Sequence, residues 1–213
     1  MKHVLKNAFR ERVLTAIQRV DAANKDLEVG VSKTGVSIKP QEALTDYAKF
    51  VSSYEVIKKE QEEMVLQKEE VNCIKELFKQ NNIRDMSVED DLNWDALNQK
   101  FKLFLEEKIP EAKTYIDEQM DTMQNELYSQ SQGVDEGMKE INAKLNSGMF
   151  VEIGDPEGGG QEHFDNPITV LEQLDVIKKQ LAGHKFRFST YTKYADLFGA
   201  ADGAAFAFQN VQD

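Results

Sequence analysis

From Gln41 to Gln80 the chain runs for about 40 residues without a glycine or a proline. As a helix, that stretch makes a rod of about 60 Å. Leu44, Tyr47, Phe50, Val51, Tyr54, Ile57, Met64, Val71, Ile74, Leu77 and Phe78 recur at helical spacing and mark its buried side. Between them lie KKEQEEM and QKEE, a solvated face. Helices of globular domains are seldom this long, so side-by-side packing of the coiled-coil or solenoid kind is expected. No seven-residue register runs unbroken through the stretch, because polar residues dominate from Lys58 to Glu63.

The neighbouring segments carry the same period. Between Lys2 and Leu27, Val4, Leu5, Ala8, Phe9, Val13, Leu14, Ile17 and Val20 form one apolar stripe. Gly30, Gly35 and Pro40 then punctuate a connector, whose β-branched part from Val29 to Ile38 fits a short hairpin or a loop. After Asn81-Asn82 and an acidic stretch from Asp85 to Asp91, a third helix is expected near Leu92. Its aromatic face is Trp94, Leu97, Phe101, Phe104 and Leu105. Pro110 should kink or split it, because proline removes a donor and clashes one turn back. The stripe resumes in Ala112, Tyr115, Ile116, Met120, Met123 and Leu127, weakens through SQSQG and returns in Met138, Ile141 and Leu145. The segment from Asn146 to Asp165, with GDPEGGG, reads as a long Gly-rich loop. Asn166-Pro167 reads as a helix start, with Ile168, Leu171, Leu174, Ile177, Leu181 and Phe188 as its stripe. No internal repeat of fixed period is present.

Charge and composition narrow the function. The formal net charge of −12 argues against nucleic acid and against an anionic membrane surface, both of which require a basic face. No apolar run is long enough to cross a membrane, and the first residues, MKHVLKNAFRERVL, are too charged for a signal-peptide core. Cys73 is the single cysteine, so no intrachain disulfide forms, and the cytosol or a compartment continuous with it is expected.

The candidate chemical motifs fail on their residues. A nucleotide-binding loop needs Gly-Lys-Ser/Thr at its end, whereas Gly160 is followed by Gln161 and Glu162. Ser32-Lys33-Thr34 has Ser32 where the second glycine belongs and Leu27 where the first belongs. His3, His163 and His184 have no second His or Cys at helical ligand spacing, so no metal site is expected. Cys73 beside Ile74 reads as a small hydrophobe in a helix seam. Paired carboxylates such as Glu62-Glu63 and Glu69-Glu70 read as a solvated face, since no pocket is indicated that would split their pKa values. No catalytic residue and no cofactor is therefore expected.

The aromatic residues carry more information. Trp94, Phe101 and Phe104 form one cluster, and Phe188, Tyr191, Tyr194 and Phe198 form another at three- and four-residue steps on one helix face. Both read as packing or docking anchors. The second should be covered either by the helix of Trp94 and Phe104 or by a second copy of the chain.

The stretch NPITVLEQLDVIKKQLAGHKFRFSTYTKYADLFG is similar to one in axonemal dynein heavy chains. There, a helix with Leu and aromatic positions at this spacing leads to a Tyr-containing segment ending in Leu-Phe-Gly. The matching residues are Leu171, Leu174, Phe188, Tyr191, Tyr194, Leu197, Phe198 and Gly199. Upstream, NWDALNQKFKLFLEEKIPEAKTYIDEQM resembles the Trp-containing helical stem that precedes it, and the likeness covers roughly residues 41–199. The family continues past Leu-Phe-Gly with a hydrophobic, proline-containing stretch, where this chain has AADGAAFAFQNVQD, and its chains are many times longer. A fragment or a truncated product is the resulting expectation.

The resemblance implies a non-catalytic segment of stem leading into the start of the linker, the lever of the motor. The implied partners are other heavy-chain regions and the intermediate and light chains, with microtubules reached indirectly and neither nucleic acid nor membrane involved. The implied location is the cytoskeleton of a cilium or flagellum. The ATPase modules of the family would lie downstream and are missing from this chain. The expected fold is all-α, an elongated bundle of long antiparallel helices, solenoid- or coiled-coil-like, with one long Gly-rich loop. Its parts are an N-terminal helix and connector (1–40), a helical stem segment (41–146), the loop (147–165), the linker-approach helix (166–199) and a divergent tail (200–213). The alternative is an independent coiled-coil or spectrin-like scaffold. A small-molecule enzyme ranks third, for want of any acid/base or nucleophile constellation.

Overall fold

The computed structural model describes residues 2–33, 39–81, 83, 87–146 and 167–199. All regular structure among them is helical: α1 (Lys2–Lys33), α2 (Pro40–Gln80), α3 (Val88–Lys102), a π-helical turn (Leu103–Lys108), α4 (Ile109–Asn146) and α5 (Pro167–Leu197). The all-α expectation therefore holds. The Gly-rich loop, His163, Asn166 and the tail from Ala200 lie outside the described residues. The chain divides into two compact units, Met1–Asp121 and Thr122–Asp213, and the division falls within α4.

In the first unit three rods pack side by side: α1, α2, and the run of α3, the π-turn and the start of α4. Phe9 meets Phe78 at a tilt, Arg12 pairs with Glu70, Arg19 with Glu60 and Glu63, and Gly30 lies under Phe50, so α1 and α2 are antiparallel. Arg10 meets Asp90 and Asp21 meets Lys100, so α3 runs parallel to α1. Lys75 and Lys68 lie over Trp94 and Phe101, while Tyr47 and Phe50 reach Ile116 and Tyr115, which sets the third rod antiparallel to α2.

The buried side of α1 is Phe9, Val13, Ala16, Val20, Ala23 and Leu27, spaced four and three residues apart in strict alternation. That differs from the apolar stripe of the sequence. Val4 is 69% exposed and Leu14 is also exposed, because the seam follows contacts with both neighbours rather than the count of apolar residues. The helix also runs on through Gly30 to Lys33, where a connector was expected from Val29. Gly30 is tolerated there because Phe50 fills its side, and a Cβ would come within 1.9 Å of the ring.

On α2 the buried residues include Leu44, Tyr47, Val51, Tyr54, Ile57, Met64, Val71 and Phe78. The last three are seven residues apart, so a seam does persist past the polar stretch. Lys68 and Lys75 alternate with them, laying their stems along Phe101 and Trp94 with the ammonium groups 5.3 and 4.5 Å from the ring centres. Leu77 and Cys73, expected in the seam, are exposed.

Helix α3 starts at Val88, ahead of the expected Leu92, because Ser87 caps it. Pro110 does not split the third rod. The chain passes into it through the π-turn, in which the Ile109 amide donates to Phe104 O, five residues back. The SQSQG stretch also stays helical: Ser131 is fully buried, and its Oγ donates to Leu127 O at 2.8 Å.

In the second unit α4 and α5 form an antiparallel pair. Gln124 meets Phe198, Gln130 meets Tyr191, and Gly137 lies against the His184 ring. Met123, Leu127, Val134 and Ile141 face Ile177, Tyr191, Ala195 and Phe198 across one buried seam. Leu171, assigned to the stripe from sequence, is exposed.

Candidate functional site

Both aromatic clusters are built into helix seams. In the first unit, Phe101 and Phe104 are buried and meet edge to face with ring centres 6.3 Å apart. Trp94 is half-buried, with Phe9 at 6.3 Å on one side and the Lys75 ammonium on the other. Burial against the indole lowers the Lys75 pKa, with Asp91 and Asp95 opposing that shift.

Beside this cluster stands a polar latch that the sequence reading did not pick out. Ser87 and Asp90 form a capping box: the Asp90 amide donates to Ser87 Oγ, and the Ser87 amide donates to Asp90 Oδ2, both at 3.2 Å. Arg10 of α1 grips the same carboxylate with two bonds, Nε to Oδ1 at 2.7 Å and Nη2 to Oδ2 at 2.9 Å. Asp90 is only 4% exposed. The Arg10 guanidinium, and then the Ser87 bonds, outweigh burial and hold its pKa down to about 2. The signal for the cap was present as Ser-x-x-Asp at Ser87 to Asp90. The partner Arg10, 80 residues away, had no local signal.

Tyr47 places another buried polar group at a rod contact. Its hydroxyl donates to Ile116 O at 2.8 Å, and burial, with Asp117 and Tyr115 adding to it, pushes its pKa up to about 12.

In the second unit, Tyr191 and Phe198 are buried, while Phe188 and Tyr194 are half-buried. Tyr194 stacks on Phe198 at 6.1 Å and sits 6.4 Å from Tyr191. The cover this face finds in its own unit is α4. Tyr191 OH lies 3.5 Å from Gln130 Oε1, and burial raises the tyrosine's pKa. Gln124 Nε2 donates to Phe198 O at 2.8 Å, which satisfies a carbonyl past the last turn of α5. Gly199 has φ 63 and follows at once. The Leu197-Phe198-Gly199 ending is thus a helix stop, with an aromatic turned inward and a glycine in the left-handed position that closes helices.

The remaining residues singled out from sequence are scattered. His3 is exposed, with Nε2 3.4 Å from Asn7 Nδ2, and His184 packs against Gly137. Ser32 is within α1 and donates to Glu28 O at 2.8 Å, so it is part of a helix and not of a phosphate loop. Among the described residues no helix is long and apolar enough to cross a membrane, and no group of three His, Cys, Asp or Glu side chains is placed to hold a metal ion. What the arrangement can do is bind helix to helix: each cluster is an apolar seam closed by a polar tie at its edge. No known family model matches the chain, and no curated protein matches it.

Proposed function

We propose that the chain is a non-catalytic structural segment that carries load through paired helices, from the stem of a dynein heavy chain where it leads into the linker. The observation that carries this reading is the way the three rods of the first unit are tied along their length. Arg10–Asp90, Arg12–Glu70, Arg19 with Glu60 and Glu63, and Lys100–Asp21 cross between helices at successive levels. A pull along one rod loads these ties and the aromatic seams in shear and shares the force among them. Each exposed pair is worth little alone, but the distribution along the rod resists local slippage. The residues that resemble the dynein stem support the assignment by lying on long helical elements, the third rod and α5, with Phe101, Phe104, Tyr191 and Phe198 turned into seams. In that setting the partners are other heavy-chain regions and the associated intermediate and light chains, with microtubules engaged indirectly and the cilium or flagellum as the location.

A spectrin-like scaffold is the second reading. The strict four-three seam of α1 and the seven-residue steps from Met64 to Phe78 favour it. Sequencing the transcript through and past the Asp213 codon tests the two. An in-frame continuation encoding the Walker loops of AAA+ modules supports the dynein assignment. A frame that closes there, or that continues only into further three-helix units, rejects it in favour of the scaffold.

A further inference from the structure

The buried positions of the third rod follow a seven-residue seam with one residue too many. Asp90, Leu97, Phe101 and Phe104 are buried, and the steps from Leu97 are four and three. The next buried residues are Ile109, Ala112 and Ile116, so the step from Phe104 to Ile109 is five residues. In an unbroken α-helix that extra residue would swing Ile109, Ala112 and Ile116 about 100° off the seam. The π-turn at Leu103–Lys108 absorbs it, since its amides reach five residues back.

Two features hold the wide turn where it is. Pro110 follows one residue after it and has no amide to donate. In α geometry its ring would press on the Glu106 carbonyl, four residues back, and the wide turn relieves that contact. The second feature is on α1. Lys100, at the start of the last turn before the π-turn, is gripped twice. Its ammonium lies 2.5 Å from Asp21 Oδ1, and its carbonyl accepts from Asn24 Nδ2 at 3.4 Å. Asn24 is 8% exposed, and its Oδ1 meets no hydrogen-bond partner among the described residues. A buried amide with an unmet acceptor weakens the bundle relative to leucine, and the best-attested return for that cost is a fixed helix register.

We infer that the grip on Lys100 and Pro110 form a two-point register lock on the third rod: Pro110 sets where along the rod the extra residue is absorbed, and Asn24 with Asp21, through Lys100, sets which residues beside the π-turn face α1. Releasing either point leaves the other in control. Releasing both lets the π-turn shift by one helical turn, so that two registers of the rod coexist against α1.

The test is amide NMR of the full chain with the Lys100 grip released (Asp21→Asn with Asn24→Leu), with Pro110→Ala, and with both releases combined, reading the resonances of residues 97–116 together with hydrogen exchange of the Ile109 amide. Each release alone should give one set of resonances with the five-residue bond intact. The combined variant should give two sets in slow or intermediate exchange. A single set in the combined variant overturns the lock. So does peak doubling with either release alone, because control would then rest on one point. Asn24→Leu and Pro110→Ala raise helix propensity and the Asp21 side chain is nearly half exposed, so failure of the combined variant to fold also contradicts the inference.

Discussion

Replacing Asp90 by Asn keeps the size of the side chain and an oxygen that can still accept from the Ser87 amide, while it removes the charge that faces Arg10 and puts an amide donor where Oδ1 accepts from Arg10 Nε. The cost follows from the carboxyl's own titration. Its pKa falls from 3.8 to about 2 on folding, chiefly through the Arg10 bonds. Fully expressed, such a depression is worth roughly 2.5 kcal/mol. About half of the Arg10 side chain is in water, which screens the pair and lets the guanidinium rehydrate once its partner is neutral. A loss of about 1–2 kcal/mol is therefore expected at pH 7. The sign with pH is fixed: a group whose folded pKa is depressed contributes stability that is fully present above its unfolded pKa and lost as pH falls through the folded one. The difference between wild type and Asp90→Asn should be full at neutral pH and shrink from about pH 4 to about pH 2.

Trp94 makes the measurement local, because it is the only tryptophan and sits one turn from Asp90 in the same unit. Urea unfolding followed by its fluorescence should show a midpoint lower by about 0.5–1 M in the variant at pH 7, for a slope of about 1–3 kcal/mol per molar. A difference that is absent at pH 7, or that stays constant down to pH 2, would refute the latch as an energetic feature.

Gly30→Ala should destabilise the first unit by about 1–3 kcal/mol despite alanine's better helix propensity, because the new methyl meets the Phe50 ring at 1.9 Å and the ring is held by Tyr115; an unchanged or raised melting temperature would show that the ring moves freely. Tyr47→Phe leaves Ile116 O without its buried donor and should cost about 1 kcal/mol by the same Trp94 readout. Tyr47 should also be a late tyrosine in an ultraviolet titration, ionising near pH 12, with its contribution to stability intact below pH 10 and lost as pH rises through about 12. A tyrosine spectrum with every phenol ionising together near pH 10 in the folded chain would contradict this. Tyr191→Ala with Phe198→Ala should remove about 3–5 kcal/mol per ring from the pairing of α4 with α5. Faster amide exchange across α5 would show it, and unchanged protection would mean the cluster is not an anchor.

The long helices were legible because their evidence is repetitive. Tens of apolar residues at one period outweigh any single exception, and α2 and α5 begin at the prolines that open them, Pro40 and Pro167. The burial of Phe101, Phe104, Tyr191 and Phe198 was legible for the same reason. What escaped was decided by partners far away in sequence. Gly30 stays helical because Phe50 covers it, and nothing near Gly30 announces that. Leu14 and Leu171 match the period and still face out, since the seam is drawn by where the neighbouring rods stand. Cys73 and Leu77 fail likewise on α2.

The α2 seam beyond the polar stretch shows a more specific case. A count of apolar residues scores lysine as solvated, yet Lys68 and Lys75 occupy seam positions with their stems over Phe101 and Trp94. Their ammonium groups lie over the ring faces and both residues stay half-exposed, so the position is apolar along its stem and polar at its tip. The same partition runs through the molecule. Arg10 spans from the half-wet surface to the buried Asp90, and Lys100 lies across α1 while its carbonyl meets Asn24. A helix bundle with so many charged residues keeps a continuous seam by using long cations as its walls. A sequence pattern that divides residues into inside and outside cannot represent a side chain that is both.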